Sequence, residues 1–294
     1  SGCIQYGDLA YTTSYGFASV GANNGHNGTS GEPFLNNPDI VADFAYRSVH
    51  TGVLIGKEMT KAYYGQDYTK SYYLGCSTGG RQGFKEAQDF PGDFDGIVAG
   101  APAVAFNNLS AFSGRGLIVT GGPTAPTFLS PQLWALVHED VLAQCDGLDG
   151  VTDGIIEDND LCHYRPENLQ CSPSNGTNST SCLTAPQVNT VRTLFTDWYG
   201  VNGSLIYPKA NYGAEIPMSF IFYNGHPFQY SQDWFRYVVY NDPTWDGASL
   251  TIEDAAAASA QNPSDISTWK GDLSGFQNKG GKILHYHGQA DSII

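Results

Sequence analysis

The chain has 294 residues, 41% of them hydrophobic, 13% aromatic and only 15% charged, a globular rather than a disordered composition. That length admits one large domain, or a domain carrying an insertion, around a sizeable apolar core. A formal net charge of −15 makes nucleic acid and anionic membrane poor partners and suits a neutral or weakly charged ligand, and no apolar run is long enough to span a bilayer.

Residues 1–38 are rich in Gly, Asn and Ser and read as loops. Asp39 to Tyr64 reads as an amphipathic helix from the spacing of Ile40, Val41, Phe44, Val49, Val53, Leu54 and Met59, with Gly65 as its stop. Residues 71–74 are a short β-prone run, Gly75 to Gly80 a Gly-rich turn, Arg81 to Asp89 a helix ended before Pro91, and Gly96 to Ala99 a buried strand. This β-turn-α-β alternation predicts an α/β fold with a mostly parallel sheet. Beyond about residue 107 the texture changes. Pro131 to Gln144 is a helix with Ser130 as its cap and Pro131 in its first position. An acidic Gly-rich loop, a Ser/Asn-rich loop, an aromatic stretch from Phe220 to Tyr240 and an Ala-rich helix from Glu253 to Ala260 follow. Strand rhythm returns at Lys282 to Tyr286. The expected organisation is a sheet domain of residues 1–106 and 276–294, interrupted by a lid domain of residues 107–275.

Gly75-Cys76-Ser77-Thr78-Gly79 fits G-x-S-x-G. A serine on a sharp strand-to-helix turn is raised above the sheet edge, and the flanking glycines remove Cβ atoms from the tight bend. The Thr78 N–H then faces the developing oxyanion at a helix N-terminus, whose dipole favours negative charge. The competing reading is a Gly-rich surface turn. In such hydrolases the nucleophile is followed by an acid and then a histidine. Asp291, in the loop after the 282–286 strand, stands where the acid belongs; otherwise it is a solvent-facing turn residue. All seven histidines precede Asp291. The base is therefore expected beyond Ile294, and the sequence reads as truncated at both ends.

Asp146, Asp149, Asp153, Glu157 and Asp158 fall within one short loop, and no Lys or Arg occurs between Arg115 and Arg165. Oxygen donors with interleaved glycines suit a hard ion, so a structural Ca2+ is expected, against the plainer reading of a solvated acidic loop. The spacing is not that of an EF-hand. Cys145, Cys162, Cys171 and Cys182 lie in loop-like surroundings, as structural bridges do, and sequons stand at Asn27, Asn108, Asn175, Asn178 and Asn202. Together these predict a secreted, glycosylated protein, and a chain that starts at Ser1 rather than Met reads as processed or partial.

Gly75-Cys-Ser-Thr-Gly-Gly-Arg-Gln-Gly83, followed by Phe94-Asp-Gly-Ile-Val-Ala-Gly-Ala-Pro102, resembles the tannase/feruloyl esterase family, nearest its fungal type B feruloyl esterase branch. The resemblance implies an α/β-hydrolase-type fold with a large inserted lid domain. It implies a disulfide from Cys76 to a cysteine beside the catalytic histidine, outside this sequence, and Cys3 is likewise expected to pair outside it. It implies Asp291 as the acid and Cys145–Cys162 and Cys171–Cys182 as lid disulfides. For calcium it implies Asp146, Asp149 and Asp153 by side chain, with Val151 and Ile155 by carbonyl. A Gly-rich oxyanion segment is expected just before Ser1.

The chemistry implied is two-step ester hydrolysis of hydroxycinnamic or related phenolic acids, with no organic cofactor. The substrate would be a small phenolic ester or a feruloylated plant cell-wall polysaccharide such as xylan. Phe222, Tyr223 and Phe228 are candidates for the wall against the phenolic ring, although lid core is their plainer role. The alternatives are a tannase acting on galloyl esters and, in another class, a calcium-stabilised, non-catalytic carbohydrate- or partner-binding protein. The oligomeric state is not legible.

Overall fold

The computed structural model describes residues 2–172 and 181–294. In chain order these hold α1 (Tyr6–Ser14), α2 (Pro38–Ala42), a π-helical turn (Asp43–Arg47), α3 (Ser48–Tyr64), β1 (Tyr72–Cys76), α4 (Thr78–Asp89), β2 (Gly96–Gly100), α5 (Phe106–Thr120) and α6 (Pro131–Cys145). After the acidic loop come α7 (Ala185–Leu194), β3 (Trp198–Tyr199), β4 (Leu205–Tyr207), α8 (Glu215–Ile221), α9 (Gln229–Trp234), α10 (Ile252–Gln261), α11 (Ser274–Asn278) and β5 (Lys282–Tyr286). The sequons Asn175 and Asn178 lie outside the described residues.

The chain divides into two compact units. The first comprises residues 1–107, 233–245 and 258–287, the second 108–232, 246–257 and 288–294. Relative to the expected lid span of 107–275, residues 233–245 and 258–275 group with the sheet, and 288–294 group with the second unit.

The first unit is built on a parallel sheet of order β1-β2-β5, which is the expected α/β-hydrolase-type layer. Parallel strands need a crossover, and α4 supplies it between β1 and β2. Ile97 and Ala99 of β2 are buried with Ala87 of α4, Phe94 and Phe276 of α11, and Val49 and Val53 of α3 pack on that cluster. The long helix expected from Asp39 to Tyr64 is present, but a π turn at Asp43–Arg47 splits it. Gly65 ends it in the left-handed region at φ 70°. One element contradicts the loop reading of residues 1–38. α1 is helical there with no buried residue, so it lacks the apolar stripe by which a helix is recognised in sequence.

The second unit has its own core. α6 contributes Leu133, Trp134, Val137, Val141 and Cys145, and α7 contributes Val188, Val191 and Leu194. Ser130 caps α6 by accepting from the Leu133 N–H at 3.4 Å. Disulfides join Cys145 to Cys162 and Cys171 to Cys182, the two pairings implied by resemblance.

Candidate active site

β1 runs straight into α4 through Ser77, whose backbone sits at φ 62° and ψ −121°. A non-glycine residue rarely adopts such a conformation, and where it persists the surroundings must enforce it. Two hydrogen bonds do so. The Ser77 N–H donates to the Gly100 carbonyl at 3.0 Å, and the Ser77 carbonyl accepts from Ala103 at 3.3 Å. The same carbonyl accepts from the Arg81 N–H at 3.1 Å, closing the first turn of α4. Thr78 is the first residue of that helix, so its N–H has no acceptor within the helix. The bend thus presents a partly exposed serine beside a free helix N-terminus.

Glycines make the bend possible, but not quite the ones the motif suggests. A Cβ on Gly75 would lie 2.7 Å from the Gly79 carbonyl, so that glycine is required. At Gly79 the nearest atom would be the Tyr73 hydroxyl at 3.5 Å, an ordinary contact. Gly80, outside the five-residue motif, is the tight position: a Cβ there would meet the Gly100 oxygen at 2.3 Å and Pro102 Cα at 2.9 Å. Three further supports come from outside the motif. The Tyr73 hydroxyl donates to the Gly79 carbonyl at 2.8 Å. Ala101 takes φ 34° after β2 and donates its N–H to Tyr286 of β5 at 2.8 Å. Arg81 is fully buried, donating to the Ala45 and Phe44 carbonyls at 2.7 and 3.0 Å. Burial brings its pKa down to about 10. The Ala-Gly-Ala-Pro run before α5 was the available signal for the Ala101 turn, since small residues and Pro punctuate the chain there.

The other predicted residues are placed as follows. Cys76 ends β1 and is exposed, as is Cys3, and neither is disulfide-bonded within the described residues. Asp291 falls in the second unit, in the turn after β5. Its Oδ1 accepts from the Ile293 and Ile294 N–H groups at 2.8 and 3.1 Å. Burial, and then the Asp291 charge, push the Tyr207 hydroxyl up to about 12. In the acidic loop Asp146 is buried and accepts from Gly154 N–H at 3.1 Å. Asp149 accepts from Val151, and Asp153 from Ile155. Among the described residues no Lys or Arg pairs with these carboxylates.

Phe222 and Tyr223 belong to the core of the second unit, with the half-buried Phe228 packed against it, which is the plainer of the two roles considered for them. Tyr223 stacks on Trp134 at 4.9 Å, and Phe222 meets Phe228 edge-on at 4.8 Å. The Asn108 sequon is on α5, its side-chain amide donating to the Ile206 carbonyl at 2.8 Å and its Oδ1 buried. It is therefore not an open acceptor, whereas Asn27 and Asn202 are exposed.

The family model described as tannase and feruloyl esterase matches residues 1–294. The chain belongs to that family. It is 57% identical over 294 residues to the probable feruloyl esterase B-2 of Neosartorya fischeri, covering 100% of this chain and 56% of that protein. It is likewise 57% identical to the probable feruloyl esterase B of Aspergillus clavatus, over 100% of this chain and 56% of the relative. The chain thus spans about half the length of the curated relatives it matches. The crystal structure of feruloyl esterase B from Aspergillus oryzae superposes with a TM-score of 0.98 at 55% identity, covering 100% of this chain and 59% of that one. Tannin acyl hydrolase from Aspergillus niger matches at TM-score 0.72 and 24% identity, over 87% of this family member and 50% of that chain, which shows a shared fold.

Proposed function

We propose that this chain carries the nucleophile of a secreted serine esterase that hydrolyses esters of ferulic-type phenolic acids. The observation that carries the proposal is the backbone of Ser77, held at φ 62° between β1 and the first turn of α4. In the proposed reaction Ser77 Oγ attacks the ester carbonyl and a histidine takes its proton. The alcohol departs, and water hydrolyses the acyl-enzyme. The Thr78 N–H stabilises the oxyanion, for which the unpaired N-terminus of α4 is suited. Asp291 is the proposed acid that orients the histidine, on the chain order of nucleophile, acid and base. None of the seven histidines present is assigned as the base.

The acyl group is proposed from the names of the relatives. The curated relatives at 57% identity are named probable feruloyl esterases and a structure at 55% is named feruloyl esterase B, whereas the tannin acyl hydrolase lies at 24%. Feruloylated cell-wall polysaccharide is the corresponding natural substrate. We also propose that the acidic loop binds a structural Ca2+ through Asp146, Asp149 and Asp153, with the Val151 and Ile155 carbonyls. The donor set fits that ion, being all oxygen, rich in negative charge and without a basic partner among the described residues.

An organophosphate reagent should label the purified protein at Ser77 and stop hydrolysis of methyl ferulate, and Ser77→Ala should remove both. An unlabelled protein with intact Ser77 would favour the non-catalytic binding alternative. Faster turnover of methyl gallate than of methyl ferulate would move the assignment to a tannase.

A further inference from the structure

Three side chains of the first unit converge at a place the proposed reaction does not use. His50 stands on α3, Glu86 near the end of α4 and Asp93 in the turn leading into β2. One ligating atom from each lies within 4.8 Å of the others. His50 Nδ1 and Asp93 Oδ2 are 2.6 Å apart. Glu86 is 1% exposed and Asp93 6%, while His50 keeps part of its surface in solvent and so gives the cluster an entry path.

The atoms that need explaining are those of Glu86. Neither carboxyl oxygen accepts from an N–H or hydroxyl group among the described residues, and the group facing it is the Asp93 carboxyl. Folded proteins leave few buried polar groups unpaired, and an ion is one of the usual reasons for an apparent exception. The surroundings are already fixed. The His50 ring stacks on Phe90 at 4.0 Å, which sets its plane, and the Lys57 ammonium donates to the Asp93 carbonyl, which holds the turn. One imidazole nitrogen with two carboxylates is a borderline donor set. Imidazole favours Zn2+ and its neighbours, and carboxylates add charge without excluding them.

We propose that His50, Glu86 and Asp93 form a binding site for a divalent transition-metal ion of the Zn2+ class, distinct from the acidic loop. The ion bridges the facing Glu86 and Asp93 carboxyls and neutralises both at once. Tetrahedral Zn2+ ligands stand about 3.3 Å apart at ordinary bond lengths, so His50 and Asp93 separate slightly as the ion replaces the proton between them. Glu86 is nine residues along α4 from Ser77, roughly 13 Å at helical rise. The ion therefore ties α3, the end of α4 and the β2 approach together and does not touch the reacting atoms.

The test is calorimetric titration of the metal-free protein with Zn2+, in excess Ca2+ so that the acidic loop is saturated. One Zn2+ per chain is expected, with a raised melting temperature. Co2+ should give a visible ligand-field band at the same stoichiometry. Glu86→Gln keeps the side-chain shape and should weaken Zn2+ binding roughly tenfold or more. His50→Asn, at the partly exposed member, is a second variant that leaves the core carboxylates untouched and should also abolish the Co2+ band. The absence of Zn2+ binding in the parent would overturn the proposal in favour of a protonated Glu86. Binding unchanged in both variants would overturn it in favour of surface histidines.

Discussion

The elbow makes an asymmetric prediction about two adjacent glycines. Gly79 completes the recognisable motif, whereas Gly80 lies outside it. An alanine at position 80 would bring its Cβ to 2.3 Å from the Gly100 oxygen, 2.9 Å from Pro102 Cα and 3.1 Å from Pro102 Cβ. The two nearest of these are backbone atoms and cannot rotate aside. The Gly100 carbonyl also accepts the Ser77 N–H at 3.0 Å, so moving it strains the bend itself. Overpacking of this kind costs about 1–3 kcal/mol, against which the helical preference of Ala over Gly returns about 0.5–1 kcal/mol. Gly80→Ala should therefore be destabilised by about 1–2 kcal/mol. Gly79→Ala, whose Cβ meets only the Tyr73 hydroxyl at 3.5 Å, should be unchanged or slightly more stable. Urea denaturation followed by circular dichroism measures both, and the m-value should stay constant. A melting temperature lowered by on the order of 2 °C per kcal/mol accompanies the loss. Equal midpoints for the two variants, or a larger loss at Gly79, would refute the steric reasoning.

Other consequences are as direct. His138 donates to the fully buried Glu215 at 2.7 Å, and that bond holds the imidazolium above its ordinary range. A raised folded pKa gives stability that is complete below the unfolded value, about 6.5, and is lost as pH rises through the folded value. His138→Gln should flatten the stability profile over that interval in denaturation from pH 5 to 9, and parallel profiles would contradict the coupling. Cys145 and Cys162 close a loop of sequence separation 17, so replacing both with Ala should cost about 3 kcal/mol, read from the urea midpoint. EDTA should lower the melting temperature and Ca2+ restore it, with Asp146→Asn insensitive to both; an EDTA melt matching the untreated one counts against the calcium proposal.

Local pattern was enough for the elements whose signal is local. β1, β2, β5 and α6 appear where alternation, caps and glycine breaks put them, because those signals act within a turn or two of the chain. The elbow was legible for the same reason. Elements without an apolar stripe or with interior glycines were missed. α1 buries nothing. α5 carries Gly114 and Gly116, which weaken its helical signal, yet a Cβ at 116 would sit 2.4 Å from the Phe222 oxygen, so close packing demands the glycine.

The candidate site divides in the same way. The sequence alone determined a serine on a glycine-lined bend between a strand and a helix, because bond geometry and Cβ sterics are properties of adjacent residues. Only the tertiary structure decided which polar groups lie inside. α4 reads as a polar helix, yet Arg81, Gln82, Lys85 and Glu86 are all buried. Their partners come from far along the chain: Phe44 and Ala45 for Arg81, Asp265 for Lys85 and the His50–Asp93 pair beside Glu86. A buried charge is tolerated only where such partners converge, and convergence is set by packing between segments that no local pattern relates.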